Sequence, residues 1–185
     1  MKHIFYLLSG ILIFLMGCDQ IPDINSSEDI VLNKQLINMP ERPGLNLEEI
    51  VAYDKNIDGN HGGSFSAQHN YQGGPYGNIT ITSSLNFPDD AFNGIKNISQ
   101  TMNTETADVD LGPSMQFDRI VKYTLTITGI DLTGINPNSL DFVYIDSNGN
   151  MYECQYDYVT IDLSTGMLKV KNARLNHFSR YGFVN

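Results

Sequence analysis

Near the end of the chain, His177 and Ser179 flank Phe178 in the run Leu175-Asn176-His177-Phe178-Ser179-Arg180-Tyr181-Gly182. On a strand these two polar side chains share one face, with Phe178 opposite. A serine hydroxyl can attack the carbonyl just before it when the backbone is strained and a base takes its proton. The peptide then shifts to an ester at Phe178-Ser179, and water completes the cut. Only seven residues, Ser179 to Asn185, follow that bond, so no downstream domain would be liberated. The preferred reading is a structural tripeptide, with His177 and Ser179 hydrogen-bonded on a sheet.

A second cluster is Asp54-Lys55-Asn56-Ile57-Asp58-Gly59, with oxygen-bearing side chains at alternate positions and glycine sixth. This resembles a calcium loop of the EF-hand kind, in which Asp54, Asn56 and Asp58 would be ligands. The twelfth position would need a bidentate carboxylate and is Phe65, and no helix pair flanks the run. A plain Asn/Asp/Gly turn is the competing reading, and no cofactor other than calcium is implied. His61 and His69 lack a third ligand and read as loop histidines. The carboxylate pairs (Glu48/Glu49, Asp89/Asp90, Asp108/Asp110) cannot be placed as an acid/base couple in a cleft, so glycosidase chemistry is unsupported and no enzyme is expected. Ten tyrosines and nine phenylalanines occur with no tryptophan. Tyr152, Cys154, Tyr156 and Tyr158 would share one face of a strand, as a core stripe or as a platform for sugars. For sugar stacking the candidates are Tyr71, Tyr76, Tyr152 and Tyr156.

The start of the chain is of another kind. Lys2 and His3 precede an almost wholly apolar run from Ile4 to Met16, followed by Leu15-Met16-Gly17-Cys18 and then Asp19. The run is too short to span a bilayer. It resembles a bacterial lipoprotein signal, residues 1–17, which is cut before a cysteine that carries a diacylglycerol. Cys18 is thus the expected lipidation site, and the expected location is the cell envelope, at the outer membrane or cell surface rather than the inner membrane. Residues 18–44 read as the lipidated cysteine and a flexible tether, with a short apolar patch (Ile30, Val31, Leu32, Leu36, Ile37) able to dock on the domain as a helix or strand. The chain carries 21 acidic against 11 basic residues, a formal net charge of -10, with no Lys/Arg cluster in the sequence. That balance disfavours nucleic acid. The expected partners are the membrane through the anchor, and an envelope protein or glycan. With Cys18 lipidated, Cys154 has no mate and reads as a small buried hydrophobe.

Residues 45–185 read as one all-β domain, an antiparallel β-sandwich of short strands and hairpins. Val121, Tyr123, Leu125 and Ile127 alternate with Lys122, Thr124, Thr126 and Thr128, a half-buried strand from Arg119 to Thr128. Asn78–Leu85 and Ile98–Leu111 read alike, and Leu140–Asp146 with Met151–Tyr158 flank an Asp146-Ser147-Asn148-Gly149-Asn150 hairpin. A second tight turn falls at Ser164-Thr165-Gly166, Leu175–Val184 is the last strand, and the glycine-rich stretch from Gly62 to Gly77 reads as loops or bulges.

From Asn78 to Val184 the chain resembles the β domain shared by zonula-occludens proteins, netrin receptors and ankyrins, the ZU-type domain. The resemblance is carried in order by Gly62-Gly63, Leu85-Asn86-Phe87-Pro88 with Asp90-Ala91-Phe92, Leu111-Gly112-Pro113-Ser114 with Phe117, the strand Val121–Ile127, and His177-Phe178-Ser179. It implies a β-sandwich that works by protein binding or scaffolding. In some relatives a tripeptide of this type is where the chain cuts itself, which implies Ser179 as nucleophile and His177 as its activator.

Overall fold

The computed structural model describes residues 33–40 and 51–185. Cys18, the signal at 1–17 and the rest of the tether lie outside the described residues. Eleven strands are formed: β1 Val51–Asp58, β2 Gly63–Gly74, β3 Gly77–Phe87, β4 Ile95–Met102, β5 Asp108–Gly112, β6 Gln116–Thr128, β7 Asp141–Ile145, β8 Met151–Glu153, β9 Tyr158–Asp162, β10 Met167–His177 and β11 Arg180–Val184. They make two antiparallel sheets, β1-β4-β5-β11-β7-β8 and β2-β3-β6-β10-β9, which pack face to face as a β-sandwich. No helix occurs among the described residues.

Period-2 alternation builds the core between the sheets. In β6, Val121, Tyr123, Leu125 and Ile127 are buried and the intervening lysine and threonines face solvent. Ile79, Ile81 and Leu85 of β3 and Leu168, Val170, Ala173 and Leu175 of β10 join them. At one end Phe87, Phe92, Phe117 and Phe178 pack edge to face or tilted. Tyr123, Phe142, Tyr181 and Phe183 form a second ring cluster. One polar link crosses this core: the Ser83 hydroxyl donates to Gln100 Oε1 at 2.6 Å, joining β3 to β4.

Several elements differ from the sequence expectation. The glycine-rich stretch is not loop but the long β2–β3 hairpin, paired from Gly63–Phe87 to Gly74–Gly77. Gly74 is needed where the hairpin tip meets the next turn, since a Cβ there would lie 2.1 Å from the Gly129 carbonyl oxygen. Ile98–Leu111 divides into β4 and β5, because Asn103 Oδ1 accepts the Glu105 N–H and turns the chain. Met151–Tyr158 also divides: β8 closes one sheet, β9 opens the other, and residues 154–157 cross between them. That crossing is held by Arg174 N–H to Gln155 O (2.7 Å) and Asp157 N–H to Lys171 O (3.0 Å). Tyr152 and Tyr158 therefore stand on different sheets and form no common stripe. Both hairpin turns have glycine at positive φ, Gly149 at 83° and Gly166 at 62°.

Of the apolar patch before the domain, Leu36 and Ile37 are described and dock as an extended segment, while Ile30, Val31 and Leu32 lie outside the described residues. Ile37 N–H donates to Phe183 O, Ala107 N–H donates to Ile37 O, and Leu36 bridges to Val184. Ile37 and Met39 are buried, so residues 35–39 belong to the folded unit.

Candidate functional site

The chain-end tripeptide sits where the backbone leaves one sheet for the other. His177 ends β10, opposite Gln116 of β6, and Arg180 begins β11, opposite Asp110 of β5 and Ile145 of β7. The strand expected to run unbroken through Leu175–Val184 is thus two strands in two sheets. Apolar patterning reports burial and not the sheet a strand joins: Leu175, Phe178 and Tyr181 are buried three apart across the change, with apolar residues buried on both sides of it. Phe178 is 2 % exposed, and its ring meets Phe117 edge to face at 4.8 Å and Phe87 at 6.2 Å. Its N–H donates to Met115 O at 2.9 Å. The Ser179 hydroxyl donates to Ile145 O at 3.1 Å, and Ser179 O accepts the Leu111 N–H. The His177 ring packs against Tyr144 at 4.5 Å, and the Tyr181 hydroxyl donates to His177 O at 2.9 Å. Among the described residues, those other than glycine with positive φ are Asn33, Asp90 and Asn172, so no left-handed backbone strain is placed at the tripeptide.

Asp54, Asn56 and Asp58 lie on the extended strand β1 rather than curled in a loop. A strand advances about 6.7 Å per two residues, which spreads such side chains along its length. The Asn97 amide, opposite on β4, donates to Asp54 Oδ2 at 2.9 Å and Asn56 Oδ1 at 3.1 Å. Asp58 turns instead to the Asn60 N–H and to His61 Nδ1 at 2.8 Å. That hydrogen bond holds the Asp58 carboxyl below its ordinary range and lifts the His61 imidazole above its own. Among the described residues no group of three His, Cys, Asp or Glu side chains is placed to hold a metal ion. His69 is on β2, half-buried beside Tyr71, and not in a loop.

Of the four tyrosines read as sugar platforms, Tyr71 is buried in the core. Tyr152 stacks on Tyr144 at 5.3 Å and donates to Asp146 Oδ2. Tyr156 donates to Asp141 Oδ1 at 2.7 Å, and burial first, with that carboxylate second, pushes its phenol pKa up. Tyr76 is exposed, its hydroxyl donating to Leu163 O at the tip of the five-stranded sheet. Cys154 is buried, as expected.

The most distinctive surface is one that sequence spacing did not reveal: the outer face of the sheet β2-β3-β6-β10-β9. Strand register lines its outward side chains in rows. Gln68, Thr82, Thr126, Lys169 and Thr160 follow one another across all five strands. At a strand spacing near 4.8 Å this row is about 19 Å long. Rows Asn70-Thr80-Thr128 and Ser66-Ser84-Thr124 lie on either side. A fourth row runs Ser64, Asn86, Lys122, Arg174. Although the chain has 21 acidic residues, the outward positions of β2, β3 and β6 from Ile120 to Thr128 hold no carboxylate. The cations instead gather toward β10, where Lys169, Lys171 and Arg174 face out beside Lys122. Asp157 lies 3.8 Å from Arg174 at the rim, and Asp162 is tied into its own turn by Ser164 and Thr165.

Comparison of the chain with family models, with curated proteins and with solved structures gave no match.

Proposed function

We propose that the protein is a lipid-anchored component of the cell envelope whose β-sandwich acts by binding or scaffolding and not by catalysis. Its binding surface is the outer face of the five-stranded sheet. The observation that carries this reading is the absence of carboxylates from the outward positions of β2, β3 and the second half of β6, in a chain of net charge -10. Solubility alone favours charge spread over every exposed face. A flat face of hydroxyls and amides, bordered by cations, is a surface that can be desolvated against a polar partner at modest cost while keeping its hydrogen bonds. The lipobox-like Leu15-Met16-Gly17-Cys18 supports the anchor, and the ZU-type resemblance supports an interaction module.

The test has two arms. The mature chain should carry a mass of residues 18–185 plus a diacylglyceryl group, and Cys18→Ser should leave the membrane fraction. The detergent-solubilised protein should also co-sediment with isolated cell-envelope fragments. A soluble, unlipidated wild type removes the anchor, and failure to sediment removes the binding role.

A further inference from the structure

We infer that the partner of this face is an acidic polysaccharide, its carboxylates paired with the β10 cations and its sugar rings lying over the hydroxyl and amide rows. This rests on the reading of the face as the binding surface and specifies what it binds. Three observations point the same way. First, Lys122 stands directly opposite Arg174 in the β6–β10 register. Like charges directly opposite on a sheet repel each other and weaken it, and an anion seated between them relieves that repulsion. Second, among the described residues Lys122, Lys169 and Lys171 are in no ion pair, although the chain has carboxylates in excess. Arg174 alone has a partner, Asp157 at 3.8 Å, with Gln155 Oε1 at 3.3 Å.

Third, Tyr158 lies opposite Lys171 on β9 and is 46 % exposed, the aromatic ring standing out from this face. A half-exposed ring beside an ammonium group suits a ligand that offers a C–H face and a carboxylate together, as a uronic acid does. The hydroxyls and amides of Gln68, Thr82 and Thr126 both donate and accept, which matches the hydroxyls of a sugar chain laid along the row toward Lys169. A lipid headgroup would offer charge without an extended set of hydroxyls.

The experiment measures binding of the full lipidated chain, in detergent micelles, to polygalacturonate and to the same polymer with its carboxyls methyl-esterified. Expected is saturable binding to the acid form that weakens with salt, and at least about tenfold weaker binding to the ester. Lys169→Glu/Lys171→Glu should lose about tenfold or more on the acid form, and Tyr158→Ala a few-fold, with unchanged melting temperatures. Equal binding of acid and ester overturns the acidic ligand while leaving a glycan-binding face. Binding that ignores the lysine reversal overturns this face as the site. Equal capture of anionic lipid vesicles or of duplex DNA, lost in the same variant, reduces the result to general attraction of polyanions and overturns it. No binding to either polymer, with envelope co-sedimentation intact, overturns the inference alone; loss of both overturns the proposed function as well.

Discussion

Replacing Phe178 by alanine separates a structural role for the His177-Phe178-Ser179 tripeptide from a chemical one. Phe178 is almost fully buried at the crossing between the sheets, and its ring is the common neighbour of Phe87 and Phe117. Removing a buried phenylalanine costs about 3–5 kcal/mol through lost transfer energy and the cavity left behind. The site has little freedom to collapse, because the backbone on both sides is tied into ladders: Phe178 N–H to Met115 O, then Ser179 O to Leu111 N–H. The cost should therefore fall in the upper part of that range, a drop of roughly 10 °C or more in melting temperature for a chain of this size. Ser179→Ala loses one half-buried hydroxyl–carbonyl hydrogen bond to Ile145, about 1 kcal/mol. Urea unfolding of wild type and the two variants, with the m-value monitored, reads both numbers. A loss below about 1 kcal/mol for Phe178→Ala, or a greater loss for Ser179→Ala, would refute the view that the phenylalanine ring is what the tripeptide contributes.

Asp108, its side chain fully buried, accepts from Arg180 Nε and Thr106 Oγ1, so Asp108→Ala should destabilise by about 2–3 kcal/mol, less than a wholly buried pair because Arg180 is about a third exposed. The same variant removes a like charge from Asp110, whose carboxyl burial holds above the usual range against the pull of Arg180 and with Asp108 adding to the rise; its pKa, followed by NMR, should fall. As that folded value is raised, ionised Asp110 weakens the fold at neutral pH, and the deficit shrinks as pH falls through it. His61 should titrate above the ordinary histidine range and return toward it in Asp58→Asn. Any stability from that pair is full below the unfolded histidine value and is lost as pH rises through the folded one. Under denaturing conditions the wild type should show one mass with its C-terminus intact. Loss of the seven-residue tail in wild type but not in Ser179→Ala would establish self-cleavage. Denaturation is essential, since β11 is paired on both edges and would stay in place after a cut.

The sandwich was readable because alternation reports burial directly, and β6 shows it residue by residue. The turns at Gly149 and Gly166 were readable for a similar local reason, as each needs a positive φ. What alternation hides is the choice of sheet. Across the crossing the buried residues Leu175, Phe178 and Tyr181 stand three apart, and that spacing does not say which sheet the chain joins on either side. The same blindness merged β8 with β9 and placed Tyr152 and Tyr158 on one stripe. The cationic face was hidden for a related reason. Lys122 lies far from Lys169, Lys171 and Arg174 in sequence, and only the β6–β10 register brings them together. Asp54, Asn56 and Asp58 show the converse, where ligand-like spacing in sequence proved to be an edge strand, with Asp54 and Asn56 engaged across to Asn97 and Asp58 turned to His61.

If the outer face of the five-stranded sheet is the working surface, carboxylates placed on it should weaken binding. Thr82 and Thr126 are cross-strand neighbours at the middle of the face, whereas exposed Ala52 lies on β1 in the other sheet. Co-sedimentation of the lipidated protein with isolated envelope fragments should fall about tenfold or more in Thr82→Glu/Thr126→Glu, from desolvation and repulsion at the contact, and stay at the wild-type level in Ala52→Glu. Unchanged sedimentation of the double variant, with its fold intact, would contradict the account.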